Sequence, residues 1–542
     1  MSVIMIGSMA FVGCSTSASD SNAERSGDLA TSDYYGYLAN SELITTNGGS
    51  AFGIAAVAPQ LSGRLYPGAF VPGPTGQFVP NTDLLKTEST TQMTENGEQL
   101  SVLYTISEKA TFSDGEPVTC VDFLLAAKAG QFSELFGSKI PLTNTIESLA
   151  CAADNKRFLV KFLPGQGARW QYLFGPGTVL PAHKIAQRTG LTMSQFVEAL
   201  YSGDAESLDE IAHVWRYGFG LGKFDSDLQV SYGPFVIEAV GEQGEVLLAR
   251  NDSYYGEPAQ LDKIVIWPST ADVSAVVAQG NLKLADSPVA DPDWFDAESM
   301  SALYDVTTAV GDMTDSLLFS DYGSLSEPWA RQAFSACIDQ EQMAQISSSI
   351  SGVEVPAVYV HSVPNTDPLA RPLTNAGSAY RGIDLASASA LWGTTVRIGY
   401  LGPNKRLAAM VEKMRATCAE AGIAIEDVSA ANMSPALLNL DEETWTSSAD
   451  VFLGPIDPRM EYGNASVRIS AVEELRQTEQ NLWEQMPALP LAAEPHTFFI
   501  ARGVANAVIY TGPSGLGWNM DRWIIDDNEA FHTSANSAAT KS

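Results

Sequence analysis

The chain has 542 residues, of which 31 are lysine or arginine and 64 are aspartate or glutamate, and its formal net charge is −33. Because so negative a protein repels polyanions, we expect no nucleic acid and no anionic membrane surface among its main partners. Hydrophobic residues make up 45% of the chain, which excludes a disordered protein and is enough for several domains of ~100–200 residues. The composition therefore predicts a large, acidic, globular protein.

The first fourteen residues resemble the end of a bacterial lipoprotein signal. Residues 2–12 read SVIMIGSMAFV, an apolar run with small residues, and Gly13 and Cys14 follow it. Residues 15–34 begin with a serine-rich polar run that is typical of a flexible tether. We expect Cys14 to carry lipid and to anchor the exported protein to the outer face of the cytoplasmic membrane. A frayed N-terminal helix with a buried cysteine is the alternative.

Four cysteines remain if Cys14 carries lipid, and an even number in an exported chain suggests two disulfides. Cys120 begins a predicted helix, and Cys151 ends a short apolar run that precedes a predicted strand. Cys337 and Cys418 each lie on the apolar face of a predicted helix. These positions favour the pairs Cys120–Cys151 and Cys337–Cys418 among three possible connectivities. Four buried reduced thiols are the alternative, and no cysteine has the spacing of a catalytic or metal-binding thiol.

Strand-like runs, a few helices and many turns alternate from residue 37 to residue 268, and regular strand–helix alternation follows after residue 270. Ser326 and Pro328 are typical of a helix start, and this helix is predicted to run to about Ile346. Further on, a strand, a helix and a second strand are predicted over residues 395–401, 404–421 and 423–428. A unit of this kind places its two strands parallel.

The C-terminal part of the chain is predicted to contain one helix and two strands. The helix covers residues 471–485, and the strands cover residues 497–501 and 505–510. Residues 524–542 are polar and are predicted to form a loose tail.

Common catalytic signatures are absent from the sequence. It has no H-E-x-x-H, no G-x-S-x-G and no P-loop; residues 218–223 read GFGLGK, which lacks the spacing and the Ser or Thr of a phosphate loop and favours a turn. The five histidines have no metal-ligand spacing. We therefore expect no catalytic centre, no metal site and no cofactor.

Several segments, taken in order, resemble the family 5 extracellular solute-binding proteins, the oligopeptide and dipeptide receptors of ABC importers. They are residues 111–119 (TFSDGEPVT), 180–183 (LPAH), 232–235 (YGPF), 250–256 (RNDSYYG) and 331–334 (RQAF). Each motif alone is weak, but the ordered set is specific. The cysteine placement and the N-terminal segment further resemble an actinobacterial lipoprotein branch of this family, which includes a mycobacterial member linked to the assembly of cell-envelope mannolipids.

The resemblance implies an α/β fold of two lobes, the periplasmic-binding-protein type II fold with the extra N-terminal domain of peptide-binding members. Lobe one would comprise residues 35–65, 210–300 and 480–523, with the extra domain at residues 66–209. Lobe two would comprise residues 305–475. The ligand would lie in the cleft between the lobes, and hinge closure around it would replace any chemical step.

The resemblance also implies a set of cleft residues, namely Thr46, Asn47, Trp445, Asp457, Arg459 and Tyr462. A surface aromatic at Trp445 and simple turn chemistry at Asp457 are the alternatives. Peptide-binding members carry an acid shortly before their Asp-Pro pair, which anchors the amino terminus of the peptide. In this sequence Gly454 or Pro455 takes that position. Because a buried ammonium without a carboxylate is costly, we expect free short peptides to bind weakly.

The function implied by the resemblance is that of a monomeric, membrane-anchored extracellular receptor. It would capture a solute, peptide-like in character, and deliver it to the permease of an ABC importer. The alternative is an envelope lipoprotein of the same fold that binds a glycolipid or a protein and regulates the assembly of cell-wall mannolipids (lipomannan and lipoarabinomannan). Neither function is enzymatic.

Overall fold

The computed structural model describes residues 29–72, 78–439, 447–462 and 472–526, so that Cys14 and Trp445 lie outside the described residues. Its strands are β1 (Gly36–Leu38), β2 (Phe70–Pro72), β3 (Phe78–Pro80), β4 (Leu85–Thr94), β5 (Gly97–Ile106), β6 (Ile146–Cys151), β7 (Arg157–Phe162), β8 (Phe235–Val240), β9 (Val246–Arg250), β10 (Lys263–Trp267), β11 (Leu282–Ser287), β12 (Tyr304–Phe319), β13 (Thr395–Gly399), β14 (Ala424–Asp427), β15 (Val451–Ile456), β16 (Ala488–Ala501), β17 (Val504–Ala505) and β18 (Ile524–Ile525).

The α-helices alternate with these strands along the chain. They are α1 (Ala51–Ala55), α2 (Pro59–Ser62), α3 (Cys120–Gln131), α4 (Ser133–Phe136), α5 (Ala182–Arg188), α6 (Met193–Ser202), α7 (Ala205–Tyr217), α8 (Ser274–Ala278), α9 (Ala297–Met300), α10 (Pro328–Ser335), α11 (Gln340–Ser351), α12 (Ala370–Leu373), α13 (Leu385–Ala388), α14 (Lys405–Ala419), α15 (Pro458–Glu461) and α16 (Val472–Gln485).

A ten-stranded mixed sheet runs through the molecule in the order β14-β13-β15-β12-β16-β11-β1-β10-β9-β8. Strand β1 lies parallel to β10 and β11, and β13 lies parallel to β14 and β15. The long strands β12 and β16 reach both halves of this sheet. The C-terminal part of β16 pairs with β11, and the C-terminal part of β12 pairs with β15. We call the β11-to-β8 side the first half and the β15-to-β14 side the second half.

A bulge interrupts the pairing of β12 and β16 where the two halves meet. Val310 pairs with Pro495 and Thr314 pairs with Ala493, so residues 311–313 together oppose the single residue Glu494. A bulge of this kind bends a strand and increases its twist. The two crossing strands therefore change direction between the halves, which is the place where a hinge is needed.

Each half of the sheet has its own hydrophobic core. The first core also takes in the antiparallel sheet β4-β5-β7-β6 and helices α3 to α7, and it buries Trp215 completely. The second core packs α10, α11 and α14 around residues such as Phe334 and Met410. Two separate cores joined by two strands are what a two-lobed molecule requires. The lobe boundaries given above stay a prediction.

Both disulfides join the cysteines that the sequence favoured. Cys120 at the start of α3 is bonded to Cys151 at the end of β6, and Cys337, just after α10, is bonded to Cys418 in the last turn of α14. The parallel unit β13–α14–β14 is also confirmed, and Asn404 caps its helix by accepting the N–H groups of Arg406 and Leu407.

The prediction of a single helix that starts after Ser326 and ends near Ile346 is wrong. The chain forms two helices, α10 and α11, and the cap residue of α10 is Glu327. The break has a local cause: the Asp339 side chain accepts the N–H of Glu341 and starts α11 anew. An aspartate that caps a helix in this way competes with continuation of the preceding one.

Candidate functional site

A closed cleft separates the two halves and leaves several cavities between them; the one beside the β12 bulge has a volume of about 60 Å³. The first half supplies wall residues from the loop before α1, from the segment before α5 and from the C-terminal segment, among them Gly48, Tyr172 and Tyr510. The second half supplies Met313 of the β12 bulge together with Ile456, Asp457 and Met460 around the end of β15. The cavity thus draws on both halves and on the strand that connects them.

The wall of the first half depends on a tight loop before α1. The Asn47 side chain donates to the carbonyl of Trp215 at 2.8 Å and accepts the N–H of Gly49 at 3.0 Å. A Cβ atom at Gly48 would lie 2.7 Å from the carbonyl oxygen of Pro176. Ser50 then caps α1 by accepting the N–H of Gly53. Glycine is therefore required where this loop presses against the neighbouring segment of the wall.

The wall of the second half ends in a capped turn. Strand β15 stops at Ile456, and the Asp457 side chain accepts the N–H of Arg459 at 2.9 Å to start α15. Pro458 occupies the first helical position, where its missing N–H costs nothing. Burial raises the pKa of Asp457, and the positive charge of Arg459 opposes this rise. Asp457 therefore combines turn chemistry with a place in the cavity wall.

The bulge of β12 places Asp312 beside this turn. Its Oδ2 atom accepts a hydrogen bond from Nη1 of Arg459 at 3.0 Å, and its Oδ1 atom accepts one from the Thr366 hydroxyl. The backbone N–H of Asp312 donates to the Thr511 hydroxyl in the C-terminal segment. One bulge residue therefore contacts both sides of the cleft.

Two further contacts hold the cleft closed. Arg169, which is only 3% exposed, donates to the carbonyl of Ser362 at 2.8 Å and to that of Arg459 at 3.4 Å. Lys139 lies 3.7 Å from Glu461 at the rim of the cavity. A buried guanidinium that loses its acceptors is costly. The Arg169 contacts therefore favour the closed arrangement as long as the cleft stays dry.

The acceptor loop for Arg169 is fixed by a buried acid, Glu479. Its two oxygens accept from the backbone N–H and ring of His361 and from the N–H and hydroxyl of Ser362, at 2.7 to 3.1 Å. The other ring nitrogen of His361 is 2.9 Å from the carbonyl of Ala488. Burial alone would raise the pKa of Glu479, but His361 and these hydrogen bonds lower it. Both ring nitrogens of His361 are occupied, so this Ser–His–Glu group positions a loop and is not a nucleophile.

A second buried cluster lies at the crossing of the halves. His496 on β16 is 3.0 Å from Asp286 on β11 and 3.3 Å from Glu494 in the bulge. Arg406, at the start of α14, forms a two-pronged ion pair with Asp315 of β12. Burial alone would lower the pKa of His496, but the charges of Asp286 and Glu494 raise it well above its ordinary value. The hinge strands therefore carry a compact set of opposite charges.

The structure separates the six predicted cleft residues. Asp457 lies in the cavity wall. Arg459 lies close to the wall and forms an ion pair with Asp312. Thr46 and Asn47 are buried behind the wall, where the Thr46 hydroxyl donates to Gln229 at 2.9 Å. Tyr462 packs edge-on against the His361 ring and is not part of the wall. Trp445 lies outside the described residues. Whether any of them binds a ligand stays a prediction.

Sequence reasoning missed Tyr172, Met313 and Tyr510. Met313 faces the cavity only because of the β12 bulge, and the sequence shows no sign of that bulge. Tyr510 was assigned to a strand, but β17 covers only Val504–Ala505 and the chain then leaves the sheet. Among the described residues no group of three or more His, Cys, Asp or Glu side chains could hold a metal ion. In the same part of the chain no helix is long and apolar enough to cross a membrane.

The chain is similar to solute-binding proteins and to lipoproteins. The family model for bacterial extracellular solute-binding proteins, family 5, middle region, matches residues 191–427. A Mycobacterium tuberculosis lipoprotein is 28% identical over 532 residues, which cover 90% of this chain and 92% of the relative. A Mycobacterium leprae lipoprotein is 27% identical and covers 96% of both chains. An oligopeptide-binding protein of Mycobacterium bovis is 27% identical over 219 residues, or 39% of this chain and 30% of its own.

Solved structures of low sequence identity share the fold. The oligopeptide-binding protein of Thermus thermophilus, complexed with a pentapeptide, superimposes with a TM-score of 0.67 at 14% identity, over 91% of this chain and 97% of its own. A periplasmic EDTA-binding protein superimposes with a TM-score of 0.61 at 18% identity, over 93% and 100%. The predicted two-lobed type II fold and the resemblance to family 5 are confirmed. The family and these neighbours are binding proteins, not enzymes.

Proposed function

Because the chain has the fold and the sequence signature of the family 5 solute-binding proteins, we propose that it is a lipid-anchored receptor on the outer face of the cytoplasmic membrane. It captures a small, peptide-like solute between its lobes and delivers it to the permease of an ABC importer. The observation that carries the proposal is the cavity itself, whose walls come from both halves and from the hinge bulge at Met313.

Closure follows from the way the crossing strands are built. Bending at residues 311–313 moves the second half toward the first. Closure brings the Ser362 and Arg459 carbonyls to Arg169 and brings Glu461 to Lys139. A solute that fills the cavity adds contacts available only in the closed state, and it therefore shifts the population toward closure.

The experiment that tests capture is native mass spectrometry of the full chain purified from membranes. We expect a co-purified solute with the wild type and with Met93→Trp, because Met93 is 80% exposed on β4. Met313→Trp should fill the cavity and remove the solute. A solute retained equally by all three proteins would place the binding site elsewhere, and a wild type without solute would contradict capture.

The lipid anchor can be tested separately. If Cys14 carries lipid, Cys14→Ser should release the chain from the membrane fraction into the medium, because one acyl-bearing residue is the proposed attachment. The matched control is Ser15→Ala, which leaves the cysteine intact. Unchanged membrane attachment of the Cys14→Ser protein would contradict this part of the proposal.

A second candidate function is regulation of envelope mannolipid assembly through a bound glycolipid or protein. One observation sets it apart from peptide import: the mycobacterial lipoproteins match along 90% or more of this chain, whereas the oligopeptide-binding relative matches along 39%, so the full-length likeness is to lipoproteins and not to a peptide receptor. Cells that lack the chain distinguish the two functions. Loss of solute uptake with normal lipomannan supports import, and altered lipomannan with normal uptake supports regulation.

A further inference from the structure

We infer that the captured solute is an uncharged, largely apolar molecule with one or two hydrogen-bonding groups, and not a peptide with free termini. The inference rests on the proposed function, and it narrows the solute from peptide-like compounds to those whose ends carry no charge. Two properties of the cavity support it: the chemistry of its walls and the pairing of the charged groups around it.

The walls of the cavity are mainly apolar. Aliphatic and aromatic side chains reach it from both halves and from the hinge; Ile54, Val57, Phe78, Met313, Ile456 and Met460 are among them. Apolar surface gains free energy when it leaves water, whereas a charged group placed against it loses its hydration without compensation. The walls therefore favour an apolar solute over a zwitterion.

The charged groups around the cavity already have partners within the protein. Lys139 lies beside Glu461, and Arg459 binds Asp312. Asp457 accepts the first N–H of its own helix, and Arg169 donates to two carbonyl groups. The three basic and three acidic side chains balance one another. An ammonium or carboxylate from the solute would have to compete with these existing partners.

The cavity has a volume of about 60 Å³ and adjoins a second cavity of about 340 Å³ between the halves, which shares Lys139, Met460 and Glu461 with it. The available space therefore does not decide the length of the solute, and the chemistry of the walls and the paired charges decide its class.

Two tyrosines contribute uncharged polar groups to the wall. Tyr172 and Tyr510 line the cavity from the first half. Burial raises the pKa of Tyr172 to about 12, so its hydroxyl is neutral under physiological conditions. A neutral phenol can both donate and accept a hydrogen bond. These hydroxyls can orient an amide, ester or alcohol group of the solute without adding a charge.

Calorimetry with two nearly isosteric probes tests the inference on the full chain. N-acetyl-leucinamide is uncharged, and glycyl-leucine has almost the same shape with a free ammonium and a free carboxylate. We expect N-acetyl-leucinamide to bind at least tenfold more tightly. Equal or tighter binding of glycyl-leucine would overturn the inference, and so would a failure of both probes. If both fail while a solute still co-purifies with the wild type, the proposed function stands and only the solute class is wrong.

A pair of variants ties binding to the cavity. Tyr510→Phe keeps the ring and removes the hydroxyl, and it should weaken binding of N-acetyl-leucinamide several-fold. Tyr217→Phe is the control, because Tyr217 is 50% exposed and lies outside the cavity wall. Unchanged binding by Tyr510→Phe, or an equal loss in the control, would contradict the role of the hydroxyl.

Discussion

Glu479 shows how one buried side chain can support a binding site from a distance. It accepts four hydrogen bonds from His361 and Ser362. The carbonyl of Ser362 in turn accepts a hydrogen bond from Arg169 across the cleft. The sequence offered no reason to single out this acid. It lies on an acidic, amphipathic helix among exposed glutamates, and only the tertiary fold brings residues 361 and 362 to it.

Removing this acid should cost much more stability than removing an exposed one. Glu479→Ala leaves several buried donors without an acceptor, and we expect a loss of about 3–5 kcal/mol in the free energy of unfolding. Glu474→Ala, at an exposed position of the same helix, should change it by less than about 0.5 kcal/mol. Urea unfolding measures both values. Similar losses in the two variants would show that the four hydrogen bonds of Glu479 add little to the free energy of unfolding.

His496 predicts a pH dependence of stability. The folded pKa of His496 lies well above its ordinary value because Asp286 and Glu494 flank the ring. The folded state therefore binds a proton more tightly than the unfolded state does. This contribution is fully present below the unfolded pKa of about 6.5 and is lost as pH rises toward the folded pKa. Burial also raises the pKa of Asp286, so the folded state holds a proton on this carboxyl more tightly and its contribution to stability likewise falls as pH rises.

Urea unfolding from pH 6 to pH 9 tests this prediction. The wild type should lose stability as pH rises, and His496→Gln should show a flatter profile because it cannot take up the proton. His213→Gln is the control, since His213 is exposed on α7. The other charged groups at the hinge, Asp315 and Arg406, are unchanged in both variants. Parallel profiles for the wild type and His496→Gln would contradict the assignment.

At the scale of elements, the sequence predicted regular helices and parallel strands better than it predicted the crossing strands. The unit around α14 has a clear apolar period, an asparagine cap and a terminal glycine, so its helix and its parallel pairing could be predicted. Strand β16 begins at Ala488, nine residues before the predicted start at Thr497. Pro490 and Pro495 lie within it, and prolines are typical of strand edges and bulges. Pairing with the neighbouring strands, and not the local sequence pattern, therefore determines where β16 begins.

The cysteines could be paired from the sequence because their places on predicted elements limited the choices. In a chain-entropy estimate, loops of 31 and 81 residues each stabilise the folded state by about 4 kcal/mol, slightly more for the longer loop. We expect Cys337→Ala with Cys418→Ala to lower the urea midpoint at least as much as Cys120→Ala with Cys151→Ala. Non-reducing peptide mapping of the wild type is the control. An unchanged midpoint in either double variant would show that the corresponding bond contributes no stability.

For the whole molecule, the sequence was informative about the fold and poor for the site. The ordered family motifs implied a two-lobed protein without any contact information. The cavity could not be predicted because its wall joins Gly48, Tyr172, Met313, Asp457 and Tyr510, which are distant in the chain. Of these, only Asp457 was predicted, through the family resemblance of the segment around its Asp-Pro pair. The other four reach the cavity through loop packing, a bulge and an irregular C-terminal segment.

Capture depends most on movement of the two lobes around a solute. Arg169 offers a way to control that movement, since its two acceptors lie across the cleft from it. Arg169→Ala should favour the open form, and Arg157→Ala, a change at an exposed arginine on β7, should not.

Small-angle X-ray scattering of the full chain, with and without its co-purified solute, tests this claim most directly. The solute-free wild type should have a larger radius of gyration than the solute-bound protein, and adding the solute back should restore the smaller value. Arg169→Ala should need more solute to reach the same radius. A radius of gyration that is identical with and without bound solute would contradict hinge closure and, with it, the proposed mechanism of capture.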